Sequence, residues 1–97
     1  MAVGMFMTWE GVTQELYDEL RGAVNWEGDR PDGALFHVAT FNDRGARITD
    51  VWESAEDFQS FVDNRLMSAV RAAGIESDPV VELIPAHAIF NPGIDRV

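Results

Sequence analysis

Residues 46–58 read ARITDVWESAEDF, a strand that passes into a helix with no loop between them. Ser54 and the acid three residues later, Asp57, have the spacing of a capping box, which predicts that a helix begins there. The strand that pairs with this one in a hairpin carries His37, one of only two histidines. A histidine, a carboxylate and a large aromatic side chain are therefore expected within reach of one another.

The composition is that of one small globular domain, expected over residues 1–97, with 46% hydrophobic residues. Seventeen acidic residues against seven basic ones give a net charge of −10, which disfavours nucleic acid or an anionic membrane as a partner. There is no cysteine, which excludes thiolate chemistry and fits a cytoplasmic location. The apolar N-terminal segment is predicted to be a strand rather than a signal peptide, and no run approaches the ~20 apolar residues of a membrane span.

The pattern predicts four strands and two helices in the order β-α-β-β-α-β. The strands are expected over residues 2–9, 35–41, 48–52 and 80–90, and the helices over residues 13–24 and 55–73. Residues 42–45 form a hairpin turn in which Gly45 supplies a positive φ, and Gly74 ends the second helix. Pro85 argues for an edge position or a bulge in the last strand. This order indicates an α+β, ferredoxin-like fold: a four-stranded antiparallel sheet with both helices on one face.

The second face of this sheet needs a cover that the chain does not supply. The first strand is apolar at odd and even positions alike, and the last strand is largely apolar on both faces. Two helices on one side leave the other side open, and a chain of this size cannot bury both. Because two-fold dimers are the commonest closed assembly, we predict a homodimer.

From residue 3 to about residue 90 the chain resembles the dimeric α/β-barrel superfamily, and within it the small proteins of antibiotic-biosynthesis-monooxygenase (ABM) type. The resemblance rests on the element order, the length, the double-faced sheet and the run DVWES at 50–54, followed by Phe58 and Phe61. It implies a dimer with a pocket between the sheet and the helices of each subunit. The superfamily includes cofactor-free monooxygenases acting on polycyclic aromatic substrates, polyketide cyclases, isomerases, haem-degrading enzymes and members with no known reaction.

Two branches of this superfamily can be compared with the chain. Haem-degrading relatives hold iron through a histidine on the second helix, and residues 55–73 contain none, so no haem or other cofactor is expected. The monooxygenase branch typically uses an asparagine and a tryptophan in the pocket. Trp52 matches the tryptophan, whereas the first strand offers no matching asparagine.

The hairpin register predicts a pair of candidate catalytic residues. If residues 42–45 form a four-residue loop, counting back places His37 opposite Asp50, with their Cβ atoms ~5 Å apart. Such a carboxylate fixes the histidine tautomer and favours proton abstraction from a phenol or from a carbon next to a carbonyl. Leu35 is then expected opposite Trp52, whose ring is a candidate to stack on a flat substrate. A structural cross-strand pair is the alternative, and a bulge in the turn would shift the register.

Three further side chains are candidate substrate contacts. Tyr17, on the first helix, is either a hydrogen-bond donor to the substrate or a core-edge residue with its hydroxyl in water. Arg65, on the second helix, either binds a substrate anion or pairs with a nearby acid. His87 is placed on the last strand, facing a shared cleft or an interface. Two histidines without a cluster of carboxylates predict no metal site.

Two classes of function remain open at this point. The first is a small cofactor-independent enzyme of the monooxygenase, cyclase or isomerase type. It would act on an apolar, aromatic or polyketide-like molecule with His37 as the base. The second is a non-catalytic dimer of the same fold that binds a small molecule or has a structural role. The two classes differ in whether a bound ligand is converted.

Overall fold

The computed structural model describes residues 1–93, which form four strands and two helical segments. The strands are β1 (Val3–Glu10), β2 (Ala34–Asn42), β3 (Gly45–Trp52) and β4 (Val80–Pro85). Helix α1 spans Gln14–Val24, and the second helical segment consists of α2 (Ala55–Phe61), a π-helical turn (Val62–Leu66) and α3 (Met67–Ala72). The predicted β-α-β-β-α-β order is confirmed.

The four strands form one antiparallel sheet in the order β2-β3-β1-β4. This is the ferredoxin-like arrangement that the sequence predicts, with β1 and β3 central and β2 and β4 at the edges. The odd-numbered side chains of β1, including Met5, Met7 and Trp9, are buried in one core with residues of both helical segments. The helices therefore lie on a single face of the sheet.

The β2–β3 hairpin has the predicted register at its centre, because His37 is directly paired with Asp50. Asn42 also pairs with Gly45, so that only residues 43 and 44 form the loop. The side-chain oxygen of Asn42 accepts hydrogen bonds from the backbone N–H groups of Arg44 (2.9 Å) and Gly45 (3.2 Å). Gly45 has the predicted positive φ, at 147°. The turn thus fixes which side chains of the two strands meet.

The register changes at the other end of the hairpin, where one pairing prediction is wrong. Trp52 pairs with Ala34 rather than with Leu35, because a bulge lies between Ala34 and Phe36. A bulge sets two residues of one strand against one residue of its partner and re-aims the side chains beside it. Leu35 consequently lies at the border of the cavity described below, with 44% of its surface exposed.

Both predicted helix starts are confirmed by side-chain caps. Thr13 Oγ1 accepts a hydrogen bond from the backbone N–H of Leu16 (3.2 Å), and Ser54 Oγ accepts one from that of Asp57 (3.1 Å). Each cap satisfies an N–H that the first helical turn leaves unpaired. Gly74, with φ of 74°, follows the end of the second helical segment, as predicted.

The second helical segment differs from prediction in its middle, which is π-helical rather than α-helical. The backbone N–H of Met67 donates to the carbonyl of Val62, five residues earlier. A π turn of this kind inserts one residue into a helix and is frequent at functional sites. Phe61, directly before the π turn, and Leu66, the last residue of the turn, both line the cavity described below. The spacing of the apolar residues fits an uninterrupted α-helix equally well, so the sequence gives no sign of the insertion.

Strand β4 is shorter than predicted, because it ends at Pro85 and not at Phe90. Proline has no N–H to donate to a sheet ladder, so it stands at an edge or an end of a strand. Both apply here, since β4 is an edge strand as predicted. His87 therefore follows the strand, at an exposed bend, and its predicted place on β4 is wrong.

The face of the sheet opposite the helices is apolar and partly exposed. Phe6 on β1, Val38 on β2 and Ile84 on β4 are 44%, 40% and 45% exposed. Large apolar side chains at this exposure, on three strands of one sheet face, form a surface that a partner molecule could cover. Within residues 1–93, none of the helices is long and apolar enough to cross a membrane.

Candidate functional site

A cavity of about 230 Å³ lies between the sheet and the helices. Its walls are mainly apolar and include three aromatic side chains from the β3–α2 region: Trp52, Phe58 and Phe61. Met5 and Met7 of β1 form part of the sheet wall. The few polar side chains that reach the cavity are therefore the groups able to orient a ligand or react with it.

His37 and Asp50 form the predicted pair at the wall of this cavity. His37 Nδ1 lies 2.6 Å from Asp50 Oδ1. The side chain of Asp50 is 8% exposed and that of His37 is 34% exposed. Because a carboxylate only accepts hydrogen bonds, the Nδ1 atom carries a proton and its N–H donates a hydrogen bond to Asp50. In the neutral tautomer that this hydrogen bond selects, Nε2 is an acceptor.

Asp50 is also bound on its other oxygen, by the tryptophan two residues along the same strand face. Trp52 Nε1 donates to Asp50 Oδ2 over 3.0 Å, and Trp52 is almost fully buried. The tryptophan ring contacts Phe58 edge-on, with ring centroids 5.6 Å apart, and lies 5.4 Å from the Phe61 ring. Trp52 therefore has two roles here: it lines the cavity, and it holds the carboxylate that orients His37.

Tyr17 extends this chain of hydrogen bonds. Its hydroxyl oxygen lies 2.7 Å from His37 Nε2, so the O–H group donates to the free ring nitrogen. The first helix brings it there through the apolar stripe that packs on the sheet, and the Tyr17 and His37 rings are stacked, 6.0 Å apart. The four side chains form a continuous series: Tyr17, His37, Asp50 and Trp52. Among residues 1–93, no buried side-chain polar atom lacks a partner.

A second, more polar hollow of about 600 Å³ lies next to the cavity, and Tyr17 and His37 of this series line it. Tyr17, Trp26 and His37 line both the cavity and the hollow, so they form the wall between them. Arg21 and Glu27 form an ion pair in the hollow, and their hydrogen bond holds the pKa of the Glu27 carboxyl below its ordinary value. Water in the hollow would have access to His37 without crossing the apolar cavity.

Burial raises the pKa of the Tyr17 hydroxyl from 10.0 to about 12. The main cause is desolvation, which disfavours the phenolate. Negative charge on Glu27, Asp50 and Asp18 adds to the increase in pKa, and the positive charge of Arg21 opposes it. Tyr17 is therefore a protonated hydrogen-bond donor at neutral pH.

We expect a spectroscopic titration to show this directly, because Tyr17 is the only tyrosine of the chain. The absorbance of tyrosinate should appear with a midpoint near pH 12 in the folded protein and near pH 10 in denaturant. Between these values the folded state keeps a proton that the unfolded state has lost, so the free energy of unfolding should fall as pH rises through this window. A folded-state midpoint near pH 10 would contradict the burial of the hydroxyl, and Tyr17→Phe should remove the signal.

The structure does not bring the other two candidate substrate contacts to the cavity. Arg65 Nη2 donates to the carbonyl of Val24 at the end of α1 (3.0 Å), and its guanidinium lies 3.9 Å from Asp29 and 5.7 Å from the centre of the Phe61 ring. These contacts join the π turn to the end of α1. His87 is exposed and lies outside the cavity walls. Within residues 1–93, no group of three metal-binding side chains is placed to hold an ion.

Two further cavity residues were not predicted from the sequence. Trp26 follows α1, and its ring lies 5.4 Å from that of His37 and 5.7 Å from that of Tyr17. Arg30 lines the cavity from the same loop. Both stand in the segment NWEGDRPDG at 25–33, whose breakers indicate a loop but do not indicate where the loop folds.

The architecture of this chain is similar to that of several solved structures. No family model and no curated protein matches the chain. Among solved structures, NE2512 from Nitrosomonas europaea, a protein of unknown function, has a TM-score of 0.71 at 18% identity over 94% of both chains. A proposed antibiotic biosynthesis monooxygenase from Caulobacter crescentus has a TM-score of 0.65 at 16% identity, over 90% of this chain and 91% of its own. The chain has the fold of the antibiotic biosynthesis monooxygenases.

SnoaB from Streptomyces nogalater, a cofactor-independent oxygenase, shares this ABM fold. Its TM-score is 0.62 at 11% identity, over 91% of this chain and 94% of SnoaB. The resemblance to ABM-type proteins that the sequence suggested is confirmed at the level of the fold. At these identities the likeness describes the architecture and not the chemistry.

Proposed function

We propose that this protein is a small cofactor-independent enzyme of the monooxygenase, cyclase or isomerase type. It acts on an apolar, aromatic or polyketide-like molecule in the cavity between sheet and helices. The observation that carries this proposal is the series Tyr17–His37–Asp50 at the wall of an otherwise apolar cavity. The Tyr17 hydroxyl on His37 Nε2 connects the histidine–carboxylate pair to a second group that can exchange a proton at the cavity wall.

The proposed chemistry begins with removal of a proton from the ligand. A ligand O–H or acidic C–H near Tyr17 transfers its proton to the tyrosine oxygen while the tyrosine proton moves to His37 Nε2. The carboxylate of Asp50 stabilises the resulting imidazolium, as in other histidine–carboxylate pairs. The proton can then leave to water through the polar hollow, which His37 also lines. The product of this step is a ligand anion in a dry, apolar cavity.

Such an anion can react in three ways, which correspond to the three enzyme types. In a cyclase it adds to a carbonyl of the same molecule, and in an isomerase it accepts a proton at another carbon. It can also be oxidised by dioxygen: a methylene carbon becomes a carbonyl, one oxygen atom enters it, and the other leaves with the two hydrogens as water. The fold that the chain shares with a cofactor-independent oxygenase supports the last of these.

The size of the cavity limits the part of the ligand that it can enclose. An apolar cavity of about 150 Å³ accommodates benzene. The 230 Å³ available here therefore suits one ring or two fused rings. A larger polyketide would have to extend out of the mouth of the cavity.

We also propose that the protein acts as a homodimer in the cytoplasm. The exposed apolar side chains on the open face of the sheet, Phe6, Val38 and Ile84, support a second copy as the cover. The absence of cysteine supports a reducing compartment. A mass consistent with a monomer at micromolar concentration would contradict the dimer.

A non-catalytic binding protein is the second candidate, because every buried side-chain polar atom within residues 1–93 already has a protein partner. Native mass spectrometry of the purified protein separates the two candidates, since it reports subunit number and any retained ligand together. The retained molecule is then returned to the protein under air and under nitrogen. The enzyme proposal expects a changed ligand mass at multiple turnovers, with oxygen dependence identifying the monooxygenase. Recovery of an unchanged ligand under both conditions would favour the binding protein.

A further inference from the structure

The rim of the cavity carries an arginine whose charge is not neutralised by the protein. Arg30 lines the cavity, and its Nε atom donates to the carbonyl of Ala34, which also lines it (2.9 Å). Arg30 is exposed, and within residues 1–93 it forms no ion pair and its two terminal nitrogens have no hydrogen-bond partner in the protein. Arg21, Arg47 and Arg65 each lie within 4.0 Å of a carboxylate. Arg44 and Arg71, which like Arg30 have no ion pair within residues 1–93, lie outside the cavity walls.

The segment that holds Arg30 is well ordered by its own contacts. Pro31 is buried, and its carbonyl accepts a hydrogen bond from the backbone N–H of Ala34 (3.1 Å). Gly33, with φ of 81°, occupies the third position of this turn, where a positive φ is required. The Gly33 carbonyl in turn accepts from the N–H of Glu53, at the end of β3 (2.8 Å). These contacts fix the backbone beside Arg30, and the hydrogen bond from its Nε atom to the Ala34 carbonyl places the exposed side chain at the rim.

We propose that the ligand is an aromatic acid whose rings fill the cavity and whose carboxylate is bound by Arg30. This inference rests on the proposed function, because it names the class of ligand for the same cavity. A guanidinium with two unpaired terminal nitrogens matches a carboxylate in a two-point hydrogen-bonded pair. The walls recognise the rings, and the Tyr17 oxygen, whose proton is donated to His37, accepts a hydrogen bond from a hydroxyl group on them.

The positive charge of Arg30 contrasts with the negative net charge of the protein. With a net charge of −10, the protein repels anions at long range. An unpaired cation beside the mouth of the cavity supplies the local attraction that an anionic ligand needs. A neutral aromatic ligand would gain nothing from it, so the two ligand types can be told apart by their affinities.

The test uses two probes of similar size, 6-hydroxy-2-naphthoate and the neutral 2-naphthol. Isothermal titration calorimetry measures the affinity of each for the parent protein and for Arg30→Gln. Arg71→Gln is the matched control, because Arg71 is exposed on α3 and lies outside the cavity walls. We expect the parent to bind the naphthoate more tightly than the naphthol. Arg30→Gln should weaken the naphthoate about 10–100-fold and leave the naphthol unchanged. Arg71→Gln should change neither.

The outcomes separate this inference from the function on which it rests. Equal affinities of the two probes for the parent, or equal losses in the two variants, would overturn the role of Arg30 while leaving an aromatic ligand in place. Absence of binding by both probes would overturn the aromatic ligand class as well. The comparison of the two probes on the parent remains decisive if Arg30→Gln does not fold.

Discussion

Asp50→Asn is expected to reverse the tautomer of His37 and to lower turnover by about 10²–10⁴-fold, with the fold retained. Trp52 Nε1 can only donate, so the amide oxygen of the new side chain must take the place of Asp50 Oδ2 beside it. The amide NH₂ group then faces His37 Nδ1 and needs an acceptor there. The neutral ring accordingly carries its proton on Nε2, which points at Tyr17.

The reversed tautomer blocks the proposed proton path. With a proton on Nε2, His37 cannot accept the proton of Tyr17, so Tyr17 cannot take one from the ligand. The substitution leaves the shape of the side chain almost unchanged and keeps the hydrogen bond to Trp52. The loss of turnover should therefore come without a large loss of stability. Asp50→Ala, in contrast, would leave the buried indole N–H unpaired and should lower the free energy of unfolding by about 1–3 kcal/mol.

Nitrogen NMR of the histidine side chains measures the tautomer without knowledge of the substrate. In the parent, His37 should show a protonated Nδ1 and an unprotonated Nε2, and in Asp50→Asn the reverse. His87, which is exposed and lies outside the cavity walls, should be the same in both proteins and serves as the internal reference. His37→Ala assigns the signals and sets the lower limit of turnover. An unchanged tautomer accompanied by full turnover in Asp50→Asn would exclude the proposed relay.

The central contact of the site was predictable because it depends on local rules. A two-strand hairpin with a short turn has a fixed register, and the register alone places His37 against Asp50. The alternation of side chains along a strand then puts Trp52 on the same face. The element order and the helix caps follow from patterns within a few residues of each other, and these were also predicted correctly.

The rest of the site depends on contacts between distant segments, which no local pattern encodes. Tyr17 reaches His37 only because α1 packs at a particular angle over the sheet, and the loop that follows it delivers Trp26 and Arg30 to the cavity. The bulge that exposes Leu35 lies in a stretch whose residues fit a regular strand equally well. Such features are set by the packing of the whole domain, and the sequence offers alternatives of similar local stability.

Gly45→Ala is expected to have the largest effect on stability, because the hairpin turn has no room for a methyl group. A Cβ atom at this position would lie 2.3 Å from the carbonyl oxygen of Trp9 and 2.8 Å from the backbone nitrogen of Gly11. Both are backbone atoms, so relief requires β1 and β3 to move apart. The φ of 147° adds strain for any residue with a side chain. Backbone strain and overpacking each cost about 1–3 kcal/mol, so a loss of about 2–6 kcal/mol in the free energy of unfolding is expected.

Gly22→Ala is the matched control, with the opposite sign. Gly22 is exposed in α1, and a Cβ atom there would meet no atom within 4 Å. Alanine in a helix is more favourable than glycine by about 0.5–1 kcal/mol, so this variant should be slightly more stable than the parent. Urea denaturation of the parent, Gly45→Ala and Gly22→Ala measures the differences in the free energy of unfolding.

Because Gly45 pairs with Asn42 at the end of the hairpin, Gly45→Ala should also weaken the His37–Asp50 contact in the protein that still folds. Loss of the parental His37 tautomer in this variant, but not in Gly22→Ala, would tie the geometry of the site to the turn that sets its register.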